Sequence, residues 1–113
     1  MRRYVLVAAM VTAGVLPARA DFISGNKLYE LCASENAFNG GICAGFVMAV
    51  ADEIERRRAV ELKLPQCFRE GVTASQVKDV VTNYLRDNPQ MRNSGGGVLA
   101  DWAIVTAFCP FKF

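Results

Sequence analysis

The cysteines constrain this chain more than any other feature: Cys32, Cys43, Cys67 and Cys109 all follow a segment built like an export signal. Arg2 and Arg3 open that segment, an apolar run fills residues 4–16, and Pro17-Ala18-Arg19-Ala20 reads as an Ala-x-Ala cleavage site before Asp21. The apolar run falls short of the roughly 20 residues that a membrane helix needs. We therefore expect a signal peptide over residues 1–20 and a single mature domain over residues 21–113. The expected location is the periplasm, with no membrane attachment after cleavage. In that oxidising compartment the thiols are expected as disulfides.

Four cysteines allow three pairings. The favoured one joins Cys32 to Cys43, the end of one expected helix to the start of the next, and leaves Cys67 with Cys109. In the chain-entropy picture a short loop contributes about 3 kcal/mol and a longer one about 4 kcal/mol. A zinc site is a weak competitor, because the chain has no Cys-x-x-Cys pair and no histidine. No metal and no other cofactor is expected.

Charge narrows the partners. The whole chain carries +2, but Arg2, Arg3 and Arg19 belong to the signal; ten Lys/Arg then face eleven Asp/Glu, a net −1. Nothing in that balance points to nucleic acid.

Periodicity predicts four helices in a compact all-α bundle. Ser24 is placed to cap the first, with Ile23 stapling onto Leu28, and Leu28, Leu31 and Cys32 share a face. An Asn-Gly-Gly turn over residues 36–41 is expected to break the chain. A second helix over residues 42–58 then has Ile42, Phe46, Val50 and Ile54 as its core stripe, with Cys43 and Val47 beside them. Gly45 inside it suggests a close helix contact.

Residues 64–67 read as an extended connector. Thr73 and Gln76 form a capping-box pattern, and Val77, Val80, Val81, Tyr84 and Leu85 follow helical spacing until Asn88-Pro89. Residues 91–97 read as a glycine-rich loop, and a fourth helix is expected over residues 98–108. Its expected broad face is Val98, Leu99, Trp102, Val105 and Thr106, with Trp102 in the core. Phe108, Phe111 and Phe113 form an aromatic tail that closes the core or meets a partner.

The lack of histidine removes the usual base of Ser-His-Asp and Cys-His catalysis. Asp52 and Glu55 could share a helix face as an acid–base pair, but carboxylates beside Arg56 and Arg58 read more simply as a solvated, ion-paired face. An enzyme is not expected. A small stapled bundle without a reactive group works by binding.

Several blocks carry a family resemblance. They are Leu28-Tyr29-Glu30-Leu31-Cys32, the run from Cys43-Ala44-Gly45-Phe46 to Asp52, Cys67 followed by Gly71-Val72-Thr73-x-x-Gln76, Tyr84-Leu85-Arg86-Asp87-Asn88-Pro89, and Ala107-Phe108-Cys109. Their order resembles the type VI secretion amidase immunity family, also called the resistance-associated or Tai family. The resemblance implies a helical, disulfide-bearing periplasmic protein, commonly a homodimer. It would bind a secreted peptidoglycan amidase effector and obstruct the active-site cleft. Gly95-Gly96-Gly97 departs from the family pattern, where better helix starters are expected.

Loops vary while a bundle is kept, so partner-binding residues are sought there. The candidates are Gln90, Met91, Arg92 and Asn93, the adjoining Arg86 and Asp87, and the basic end Arg56, Arg57 and Arg58. The alternative function is a small periplasmic helper similar to the HdeA-like acid-stress chaperones, or an accessory of an envelope complex, with no dedicated toxin.

Overall fold

Side-chain caps set where the first three α-helices begin. The computed structural model describes residues 22–109; the expected signal peptide and the tail residues Phe111 and Phe113 lie outside them. Ser24 is extended, and its hydroxyl accepts from the Lys27 N–H to start α1, Gly25–Ala33. Thr73 does the same for α3, Ala74–Asp87, through a complete capping box with Gln76. Each such cap satisfies first-turn N–H groups that have no partner within the helix.

α2 begins earlier than its glycines suggest. The Asn36 side chain accepts from both Phe38 and Asn39 N–H groups, so α2 runs Ala37–Arg56 with Gly40 and Gly41 inside it. The expected turn over residues 36–41 shrinks to Ser34, Glu35 and Asn36. The cap offsets much of the roughly 1 kcal/mol that each helical glycine costs.

The core stripe of α2 is also displaced. Cys43, Val47, Ala51 and Ile54 are buried, whereas Phe46 and Val50 are only partly buried and Ile42 is exposed. Among the described residues nothing lies within 4 Å of where a Cβ on Gly45 would stand, so the close contact expected there is not found among them. By length and apolarity α2 with its extension could cross a membrane, but its Cys43–Ile54 side belongs to the bundle core.

Past Arg56 the helix widens into a π-turn, Arg57–Leu62, which ends on Lys63 in the left-handed region at φ 53°. The Leu64 N–H turns back to the Arg58 carbonyl, 2.8 Å away. The connector then runs extended to Cys67.

α4 spans Gly96–Phe108, two residues earlier than expected. Its buried face is Gly96, Leu99, Ala100, Ala103 and Ile104; Val98 and Trp102 point outwards. Of the expected face, Leu99 is buried and Val105 packs against the core, but Val98, Trp102 and Thr106 are displaced outwards because Gly96, Ala100 and Ala103 occupy the packed side. α3 agrees with expectation: Val77, Val81 and Leu85 are buried, and Val80 and Tyr84 flank them.

Each of the four helices packs against the other three. Leu28, Val47, Ile54, Val81, Leu85 and Ile104 make the fully buried centre. Both disulfides are present as favoured, Cys32–Cys43 between α1 and α2 and Cys67–Cys109 between the connector and the end of α4. Phe68 and Phe108 pack beside the second at 5.2 Å between ring centroids.

Candidate functional site

The N-termini of α1 and α4 meet and cap each other. The Gly25 N–H donates to the Ser94 carbonyl and the Asn26 N–H to the Arg92 carbonyl, both at 2.8 Å. In return the Gly96 N–H donates to the Ile23 carbonyl at 2.7 Å, beside an antiparallel bridge between Ser24 and Gly95. First-turn donors of both helices are thus satisfied by the other strand of chain. Two glycines permit the approach. A Cβ on Gly25 would stand 2.8 Å from the Arg92 backbone, and one on Gly96 would stand 2.9 Å from the Ile23 carbonyl oxygen.

This arrangement fixes the segment between α3 and α4. Asn88 caps the end of α3 by donating its side-chain amide to the Tyr84 carbonyl, and a 3-10 turn, Pro89–Met91, follows. Arg92 turns inwards, its guanidinium carbon 4.3 Å from the centroid of the Tyr29 ring. Arg92 Nε is buried with no hydrogen-bond partner among the described residues, and the ring face offsets part of its desolvation. Asn93 accepts from the Asn26 side chain at 3.2 Å. Gln90, Met91 and Asn93 remain exposed, as do Arg86 and Asp87, which pair with each other at 3.2 Å.

Beside this segment stands an apolar ridge. Val98 and Trp102, one turn apart on α4, are 64% and 61% exposed. On one flank Tyr84, Met91 and Ser94 join them around a hollow of about 230 Å³. On the other, Gly97 and Asp101 join them around one of about 340 Å³. A tryptophan and a valine left open to water between two hollows form the kind of surface that a protein partner covers.

The basic end of α2 does not form a free cationic patch. Arg56 is clasped by Glu53 and Glu61, at 2.8 and 3.0 Å. That hydrogen bond from Arg56 holds the Glu53 carboxyl below its ordinary pKa. Arg57 reaches Asp101 on α4 at 3.0 Å and so borders the far hollow. Arg58 is buried, 3% exposed, with its Nε donating to the Pro65 carbonyl at 2.9 Å. Asp52 and Glu55 do not act as a pair: Glu55 accepts from the Cys67 N–H at 2.8 Å, and Asp52 is exposed on another groove, with Met48, Phe68 and Val77.

The structure therefore joins the two predicted regions through Val98 and Trp102, which were expected on the core face, and through Asp101, which the sequence did not single out. Asp101 links Arg57 to the ridge, and Trp102 and Val98 link the ridge to Met91. The available signal was the Gly96, Ala100, Ala103 spacing, which marks the packed side of α4 and so puts Trp102 on the outside. A larger hollow of about 490 Å³ lies over Cys67–Cys109, lined by Gln66, Arg69, Val72, Ala107 and the half-buried Phe108, and among the described residues it has no large, mostly exposed apolar side chain. Among the described residues no group of His, Cys, Asp and Glu is arranged to hold a metal ion.

A family model described as Rap1a immunity proteins matches residues 24–109, which include all four helices and both disulfides. No curated protein and no solved structure matches.

Proposed function

The chain belongs to the Rap1a immunity protein family, a type VI secretion immunity family, and on that premise we propose that it binds a peptidoglycan amidase effector in the periplasm and obstructs its active-site cleft. The observation that carries this reading is the exposed Val98–Trp102 ridge beside the polar segment of residues 88–95. An aromatic anchor that shares a hollow with Met91 and Ser94, in a stretch of chain whose Arg86, Asp87, Gln90 and Asn93 are exposed, has the make-up of an interface centre with a polar rim. Inhibition by coverage requires no reactive group, and the chain has no histidine to serve as a general base.

Export of the precursor would release a chain beginning at Asp21, which mass spectrometry of the periplasmic protein checks. For the homodimer implied by the family likeness, Phe38 and Ile42 leave an apolar surface exposed at the start of α2. Sedimentation of the purified chain reads that directly.

A protection assay tests the function. Cells export each of a panel of type VI amidase effectors to the periplasm, with and without this protein, and lysis is followed. Rescue from one effector is the expected result. Lysis by every member of the panel, with the protein present and folded, removes the amidase reading.

A further inference from the structure

Residues 88–95 contain Gln90 and Asn93, half of the polar rim just described, and hydrogen bonds from Met91 to Asn88, Arg92 to Pro89 and Ser94 to Met91 shape the segment from within. Its anchorage to the bundle comes from α1. The Gly25 and Asn26 N–H groups take the Ser94 and Arg92 carbonyls, the Asn26 side chain meets Asn93, and Tyr29 lies under the Arg92 guanidinium. Gly25 has no room for a Cβ against the Arg92 backbone, so segment and helix touch without a side chain between them.

We propose that Gly25, Asn26 and Tyr29 are positioning residues that hold residues 88–95 preformed, so that a partner protein meets a fixed surface instead of ordering a loose loop. This rests on the partner-binding reading above. Ordering a loop at the moment of binding would cost affinity that the clamp saves in advance. Arg92 is then the tether of the segment, and Met91, Gln90 and Asn93 are the groups that it presents.

The test uses the mature oxidised chain and two kinds of variant. Tyr29→Leu removes the ring face beneath Arg92, and Tyr29→Phe keeps it. Amide hydrogen exchange at Gly25 and Asn26 is expected to be slow in the unaltered protein and in Tyr29→Phe. It should quicken roughly threefold to thirtyfold in Tyr29→Leu, with the α2 and α3 core amides unchanged. Gly25→Ala pushes the Arg92 backbone away and is expected to weaken binding to the panel amidase by tenfold or more. Gly45→Ala, in open space, should bind as the unaltered chain does.

Fast exchange at Asn26 in the unaltered protein would overturn the proposal, as would full affinity in a folded Gly25→Ala. Should Gly25→Ala not fold, the Tyr29 pair decides by exchange alone. Failure of every amidase to bind the unaltered chain counts against the functional reading, and the clamp itself is still read from the exchange rates.

Discussion

Arg58 lies inside the protein with its Nε 2.9 Å from the carbonyl oxygen of Pro65. The π-turn makes this possible, because the chain folds back over its own helix end and brings the connector onto the guanidinium. Glu55 meets the Cys67 N–H one helical turn earlier, so two side chains of the α2 region hold the connector that carries a disulfide cysteine. Arg58→Ala should destabilise the fold by about 2–4 kcal/mol, since it leaves the carbonyl without its donor and opens a void. Arg58→Met should cost less, because it fills the space and removes a buried charge. Urea unfolding of the two variants gives the comparison.

Trp102→Ala separates binding from folding. The side chain is mostly open to water, so stability should change by no more than about 0.5 kcal/mol. Affinity for the matching effector should fall by roughly thirtyfold, the loss expected at an aromatic anchor. Arg86→Glu, which sets a second negative charge beside Asp87, should weaken binding more modestly. Calorimetric titration alongside thermal melting distinguishes the two effects.

The glycines make opposite predictions. Gly45→Ala should stabilise by about 0.5–1 kcal/mol, because the site is open and alanine is the better helix former. Gly96→Ala should destabilise by about 1–3 kcal/mol, since its Cβ would press on the Ile23 and Ser24 carbonyl oxygens. Chemical denaturation of both variants gives the sign in each case.

Glu53 provides a test at low pH. The Arg56 hydrogen bond lowers its pKa, so the pair's contribution is present above the ordinary carboxylate value and is lost as pH falls through the lowered one. In Arg56→Gln the Glu53 titration midpoint should move upward. Carboxyl NMR shifts follow it, and added salt should shrink the difference because the pair is exposed.

The disulfides should be unequal. Closing 11 residues with Cys32–Cys43 contributes about 3 kcal/mol, and closing 42 with Cys67–Cys109 about 4 kcal/mol. Replacing each pair by alanine and measuring unfolding midpoints should rank them in that order.

How much of this was written in the sequence depends on the kind of signal. Caps and spacing were legible where one residue decides the outcome: Ser24, the Thr73–Gln76 box, and the Val77–Val81–Leu85 face all stand as read. The cysteine pairing was legible because Cys32 and Cys43 lie at the facing ends of consecutive helices, which left Cys67 to Cys109. Around Gly40 and Gly96 the reading went astray, since glycine signals a break only when nothing else holds the helix. Asn36 supplies a cap in one case, and the Ile23 carbonyl, from a distant part of the chain, in the other. Trp102 was expected in the core because the domain is small, but apolar residues lie all around α4 with only Asp101 and Thr106 among them, and the position of its small residues tells inside from outside. Arg58 was invisible for a different reason. A triplet of arginines looks like a solvated end until a π-turn rotates one of them inwards.

The Cys67–Cys109 bond has a topological consequence. It turns residues 67–109 into a covalent ring that contains α3, the segment of residues 88–95 and α4. A protease that nicks the exposed tip of that segment cuts the backbone without releasing either half. Both ends stay tethered at high effective concentration, and the cut halves can keep packing against α1 and α2. The segment proposed above to meet a partner protein is thus the part of the chain that survives a single cut.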